Sequence, residues 1–246
     1  MDVTHIAFVT LVFAAAGGVK GITGMGLPTV AVSLLGLWMP PAQAAALLVL
    51  PALATNLAQC RGPHLRTVAA RLWPGWVALA VATVLAPGLG DGDSHASARG
   101  LGAVLVAYGL WGLARPTLPD LSRQGPWLAV AAGAATGLVT ALTAVFVLPW
   151  VAYLQTQRLD RDALVQALGL SFTVATLALA LRLRLSASTV AWTASDGLAL
   201  VAALGGAFAG LGLGARLRRR LAGAVFQRAL FLVFVVLGLA SLLRGG

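Results

Sequence analysis

The chain has 246 residues, 59% of them hydrophobic and 10% charged, with a mean hydropathy of +0.91. So few polar groups cannot clothe a water-soluble globule, and a bilayer must cover much of the surface. The net charge of +10 does not point to nucleic acid, because the arginines fall in a few short stretches between apolar runs, where they set membrane orientation; one cysteine, Cys60, excludes an internal disulfide and any multi-thiolate metal site.

Apolar runs between charged or Pro/Gly-rich breaks predict eight segments, at 7–38, 41–59, 68–87, 98–114, 127–156, 162–181, 192–213 and 224–243. Runs near 20 residues suit helices crossing ~30 Å of hydrocarbon, whereas barrel strands would alternate apolar and polar residues. The fold class is therefore an all-α polytopic membrane protein. No lysine or arginine precedes Lys20, so the first segment lacks the basic flank of a cleaved signal and is expected to stay in the mature chain.

The first and fifth segments run to about 30 residues, too long for one ordinary crossing and short for two. Both are interrupted, at Gly21-Ile22-Thr23-Gly24-Met25-Gly26-Leu27-Pro28 and around Thr140-Ala141-Leu142-Thr143 with Pro149 beyond. They also resemble each other: Gly17-Gly18-Val19-Lys20-Gly21 parallels Gly133-Ala134-Ala135-Thr136-Gly137, and Arg99 and Arg228 each precede a glycine, Gly109 and Gly238, at one spacing. Two homologous halves follow, 1–118 and 126–246, joined by a linker at 119–125.

Basic loops face the cytoplasm, which places Arg61, Arg66 and Arg71 inside together with Arg216, Arg218, Arg219 and Arg220, and the loop of Asp91 and Asp93 outside. Both basic loops can be inside only if an even number of crossings is hidden between them. A fifth segment folded as a hairpin supplies it, and by repeat the first segment does the same. The halves are then inverted copies, each a broken hydrophobic hairpin plus three transmembrane helices, with the amino terminus outside. Arg182 and Arg184 fall outside in this scheme, against the charge rule.

No catalytic constellation is present: His5, His64 and His95 stand at segment ends, all seven acidic residues are aspartates, and Asp196 alone lies well inside an apolar segment. No cofactor is implied. Broken, Gly/Pro-punctuated segments at matching places in two halves mark the substrate site of a secondary transporter. A helix restarting after a break presents unpaired N–H groups and a positive dipole end, which suits an anion, and Gly24 and Gly26 admit a ligand close to the backbone. The same glycines also suit tight helix packing. Lys20, the sole lysine, lies inside an apolar run and either meets the substrate's charge or snorkels to the aqueous mouth of the hairpin. Thr23, Asn56, Gln59, Thr140, Thr143, Gln166, Ser171 and Thr173 stand at similar depth and can bond either an oxyanion or a neighbouring helix. Gly24, Gly26, Thr140 and Thr143 are expected to line one midplane cavity.

The first break, followed by Leu50-Pro51 and Asn56, resembles the repeat motif of the TauE/SafE sulfite exporters, also called toluene sulfonate uptake permeases. Gly133-Ala134-Ala135-Thr136-Gly137, Pro149, Tyr153-Leu154-Gln155 and Val165-Gln166-Ala167-Leu168-Gly169-Leu170-Ser171-Phe172 carry the likeness through the second half. Pro28 and Ala141 depart from the family's glycines. The resemblance implies movement of sulfite, sulfonates or related organosulfur anions across a bacterial inner membrane. Lipid and a small anion are the expected partners, and a homodimer is compatible with this. An anion-selective channel and a carrier of small carboxylates are the competing expectations.

Overall fold

A computed structural model describes residues 3–89, 94–114, 118–186, 194–221 and 224–244. The Asp91 and Asp93 loop lies outside these residues, as do the side chains of Asp196 and Arg219. The described residues form ten helices: α1 (Val3–Thr23), α2 (Leu27–Leu35), α3 (Pro41–Gln59), α4 (Leu65–Leu85), α5 (Ser94–Ala114), α6 (Pro126–Thr143), α7 (Trp150–Thr156), α8 (Arg161–Leu185), α9 (Ala194–Leu221) and α10 (Ala224–Arg244). Eight are long and apolar enough to cross a membrane, and the protein is a multi-pass membrane protein; α2 and α7 are too short.

The two long segments of the sequence each resolve into a full-length helix and a short return helix. Between Phe8 and the end of α1 lie fifteen residues, about 22 Å of helix. The ring of Phe8 nonetheless sits 5.0 Å from that of Trp38, just past α2, so the chain has turned back along α1. In the fifth segment the Leu121 N–H, ahead of α6, donates to the Thr156 carbonyl at the end of α7 (3.2 Å), and this segment too returns to where it began. Helix boundaries differ from expectation mainly at basic stretches. Arg182 and Arg184 belong to the last turn of α8, and α9 continues through the run at 216–220. Arginine is a good helix former, and nothing there breaks the backbone pattern.

Small residues set the packing. α1 lies against α9 and α4 against α6 with backbones nearly touching: a Cβ on Gly17 would meet the Ala207 carbonyl oxygen at 2.2 Å, and one on Gly133 would meet that of Gly75 at 2.1 Å. One turn on, Gly21 faces Leu211 and Gly137 faces Leu79 in the same way. Both pairs run parallel. α5 and α10 pack antiparallel, Gly109 against Phe231 and Val235, Gly102 against Gly238 and Leu242. α3 and α8 are antiparallel as well, with Asn56 beside Thr176 and Cys60 beside Thr173. In lipid, where burial of apolar surface between helices gains little, such close backbone approach is a main source of association energy.

Candidate anion site

Nothing before Gly24 interrupts α1, because Gly17, Gly18 and Gly21 are helical and serve the α9 contact. The break is confined to Gly24 and Gly26, at φ 86° and 97°, a left-handed conformation that glycine adopts without a Cβ penalty. Thr23 ends the helix by donating to the Val19 carbonyl (2.8 Å) and accepting the Met25 N–H (3.2 Å). Pro28 then sits in the first turn of α2, where its missing N–H costs nothing.

Lys20 stands one turn before this break and is only 1% exposed. It does not snorkel. Its ammonium donates to Thr55 Oγ1 (3.1 Å) and to Asn56 Oδ1, both on α3, and the Asn56 amide donates onward to Thr176 Oγ1 of α8 (3.4 Å). All of these partners are neutral. Among the described residues the one ion pair is Arg158 with Asp120, both largely exposed, so no carboxylate balances the lysine. A buried charge held only by dipoles is costly and strongly favours an anionic visitor.

The Gln59 side chain donates to the Gly24 carbonyl at 2.8 Å, while its own Oε1 is buried without a partner. From α9, Arg218 Nε donates to the Ile22 carbonyl at 2.9 Å. The break is thus level with the ends of α3 and α9 rather than with the middle of the bundle, because α1 completes 21 residues before it stops.

The second break lies toward the opposite end. Thr143 donates to the Val139 carbonyl (2.7 Å) and accepts the Val145 N–H (3.1 Å), and Ala144 takes φ 56°. The Ala141 carbonyl accepts the Leu89 N–H beyond α4 (2.7 Å), and Thr140 donates back to the Thr136 carbonyl (2.7 Å). Thr140 and Thr143 therefore do not share a cavity with Gly24 and Gly26. A cavity of about 340 Å³ does adjoin the first break: Thr23, Met25 and Gly26 form one wall, Val151 and Gln155 of α7 another, and Tyr108, Trp111, Phe231 and Phe234 of α5 and α10 the rest. The contribution of the second segment comes from its return helix, not from its break.

Of the sequence-derived candidates, Lys20, Thr23, Gly24, Gly26, Asn56 and Gln59 gather around the end of α1. Gln166 is taken up by the turn after α3, donating to the carbonyls of Cys60 (2.8 Å) and Gly62 (3.1 Å) and accepting the His64 N–H (3.0 Å). Ser171 accepts from Trp76 Nε1 at 2.8 Å, and Thr173 lies against Cys60. Thr55, Thr176 and Arg218 were not singled out for the site by the sequence. Only Thr55, adjacent to Asn56, carried a local hint.

A model described as "Sulfite exporter TauE/SafE" matches residues 9–241, nearly the whole chain. No curated protein and no solved structure matches. With eight spanning helices and paired broken segments in place, the chain belongs to the TauE/SafE sulfite exporter family of membrane transporters of sulfur anions.

Proposed function

We propose that the protein is a secondary transporter that carries sulfite, a sulfonate or a related small sulfur-containing anion across a bacterial inner membrane, with Lys20 as counter-charge. The observation that carries this is the Lys20 ammonium, fully buried and held only by neutral acceptors one turn before a glycine break, whose Thr23, Met25 and Gly26 line a cavity. The anion would replace Thr55 and Asn56 as partner of the lysine, with Thr23, Gly24, Gly26 and Gln59 lining its approach. Exchanging neutral acceptors for an anionic one turns charge–dipole contacts of the ammonium into an ion pair, which favours the bound state.

Alternating access would come from two inverted halves, 1–118 and 126–246, joined by 119–125. Support lies in how matching helices pack: α5 against α10 and α3 against α8 run antiparallel, while α1 with α9 repeats the close approach of α6 with α4. In α5 and α10, Gly109 meets Phe231 and Val235 as Gly238 meets Gly102 and Val106, the reciprocal pattern of a two-fold relation. The breaks would then lie toward opposite faces, one for each.

Counterflow in proteoliposomes tests the mechanism. Vesicles preloaded with unlabelled substrate should transiently accumulate radiolabelled sulfite or sulfonate above equilibrium. Purely downhill flux without accumulation would instead indicate a channel.

A further inference from the structure

We infer that Arg218 is a second cationic station for the transported oxyanion, placed between Lys20 and the basic face of the protein, and that it sets affinity on that face alone. This rests on the transporter assignment above.

α9 is fixed against α1 by near-contact of backbones at Gly21, where a Cβ would lie 2.5 Å from the Leu211 carbonyl oxygen. Arg218, two turns further along α9, is thereby brought to the end of α1. Its Nε is committed to the Ile22 carbonyl at 2.9 Å, which orients the guanidinium. One Nη atom then lies over Gly24, 3.4 Å from where a Cβ would be. The Nη fork is a planar pair of donors that matches an oxyanion bidentately. Among the described residues no carboxylate pairs with it.

Lys20 and Gly24 are four residues apart, about 6 Å of helix rise. An oxyanion leaving Lys20 toward the face where α3 and α9 end would meet Arg218 within one helical turn. Glycine at position 24 leaves no side chain in the way. Two cations a turn apart let the anion pass from one to the other without being left desolvated and unpaired between them. A residue that merely capped α1 would also bond the Ile22 carbonyl, but it would have no reason to affect one face only.

The experiment compares half-saturating sulfite concentrations in right-side-out and inside-out vesicles, so that each face is titrated separately. Arg218→Gln should raise the value about tenfold at the face carrying the arginine stretches, and by less than about twofold at the other. Arg218→Lys keeps the charge without the fork and should raise it about threefold, again on that face only. It is the more conservative change and carries the test should the glutamine variant fail to insert. Values unchanged on both faces, or raised equally on both, would reduce Arg218 to a helix cap. If wild-type vesicles move neither sulfite nor any sulfonate, the transporter assignment itself fails and this inference falls with it.

Discussion

The two breaks end their helices with the same device and then diverge. At each, a threonine donates to the carbonyl four residues back, accepts the N–H two residues on, and is followed by a residue at positive φ: Thr23 and Gly24 in one, Thr143 and Ala144 in the other. In the first, the turn before the break carries Lys20, tied to α3. In the second, the residue that corresponds to Lys20 by sequence likeness is Thr136, two turns before Thr143, and its hydroxyl accepts the N–H of Trp150 at 3.0 Å and so ties α7 back to α6. The Trp150 indole, fully buried, lies where a Cβ on Gly75 would clash with it at 2.4 Å. The first break thus follows a buried lysine by one turn and borders a cavity, while behind the second an aromatic wedge fills the α4–α6 contact at Gly75, well back along α6 from Thr143. The same terminating device thus stands in two different surroundings, a lysine tied to α3 in one and a threonine tied to α7 in the other.

Removing the wedge should have the largest effect. Trp150→Ala leaves a void that the parallel α4 and α6 backbones cannot close, and should destabilise the protein by about 3 to 5 kcal/mol, read as a fall in melting temperature in detergent. A melting temperature near wild type would show that the indole does not brace the α4–α6 contact.

Charge at the matching positions gives the next contrast. Lys20→Met should weaken sulfonate binding more than tenfold, roughly 1.4 kcal/mol or more, and Lys20→Arg should recover part of that. Thr136→Val should change affinity by less than about twofold, since it removes no charge. Equal affinities for wild type and Lys20→Met in calorimetry would remove the lysine from recognition.

The smallest effect concerns the backbone itself. Gly24→Ala forces a methyl into a left-handed residue and should cost about 1 kcal/mol of stability. Ala144→Gly relieves the same strain but deletes a fully buried methyl, so its net change should be smaller. Comparing the two melts shows whether the first break demands glycine for conformation alone.

Hydropathy and length made the eight crossings legible, because a helix in lipid must satisfy its backbone internally and must span a fixed thickness. Paired glycine-rich breaks and the isolated lysine were legible for the same reason: each is an exception to an apolar pattern that has few. Depth along the bundle was not legible. Gly21 opens the interruption in the sequence, yet it is helical and packed on α9, so α1 continues to Thr23 and its break lies toward one end. Nor could local pattern say which way Lys20 points, that Thr55 and Asn56 would meet it from 35 and 36 residues away, or that Arg218 would reach the Ile22 carbonyl from 196 residues away. Spanning segments and their breaks follow from residue chemistry read in order. Which polar groups meet is decided by small-residue contacts between distant helices, because in a bilayer the fit of one backbone against another selects the register, and that register carries each side chain to its partner.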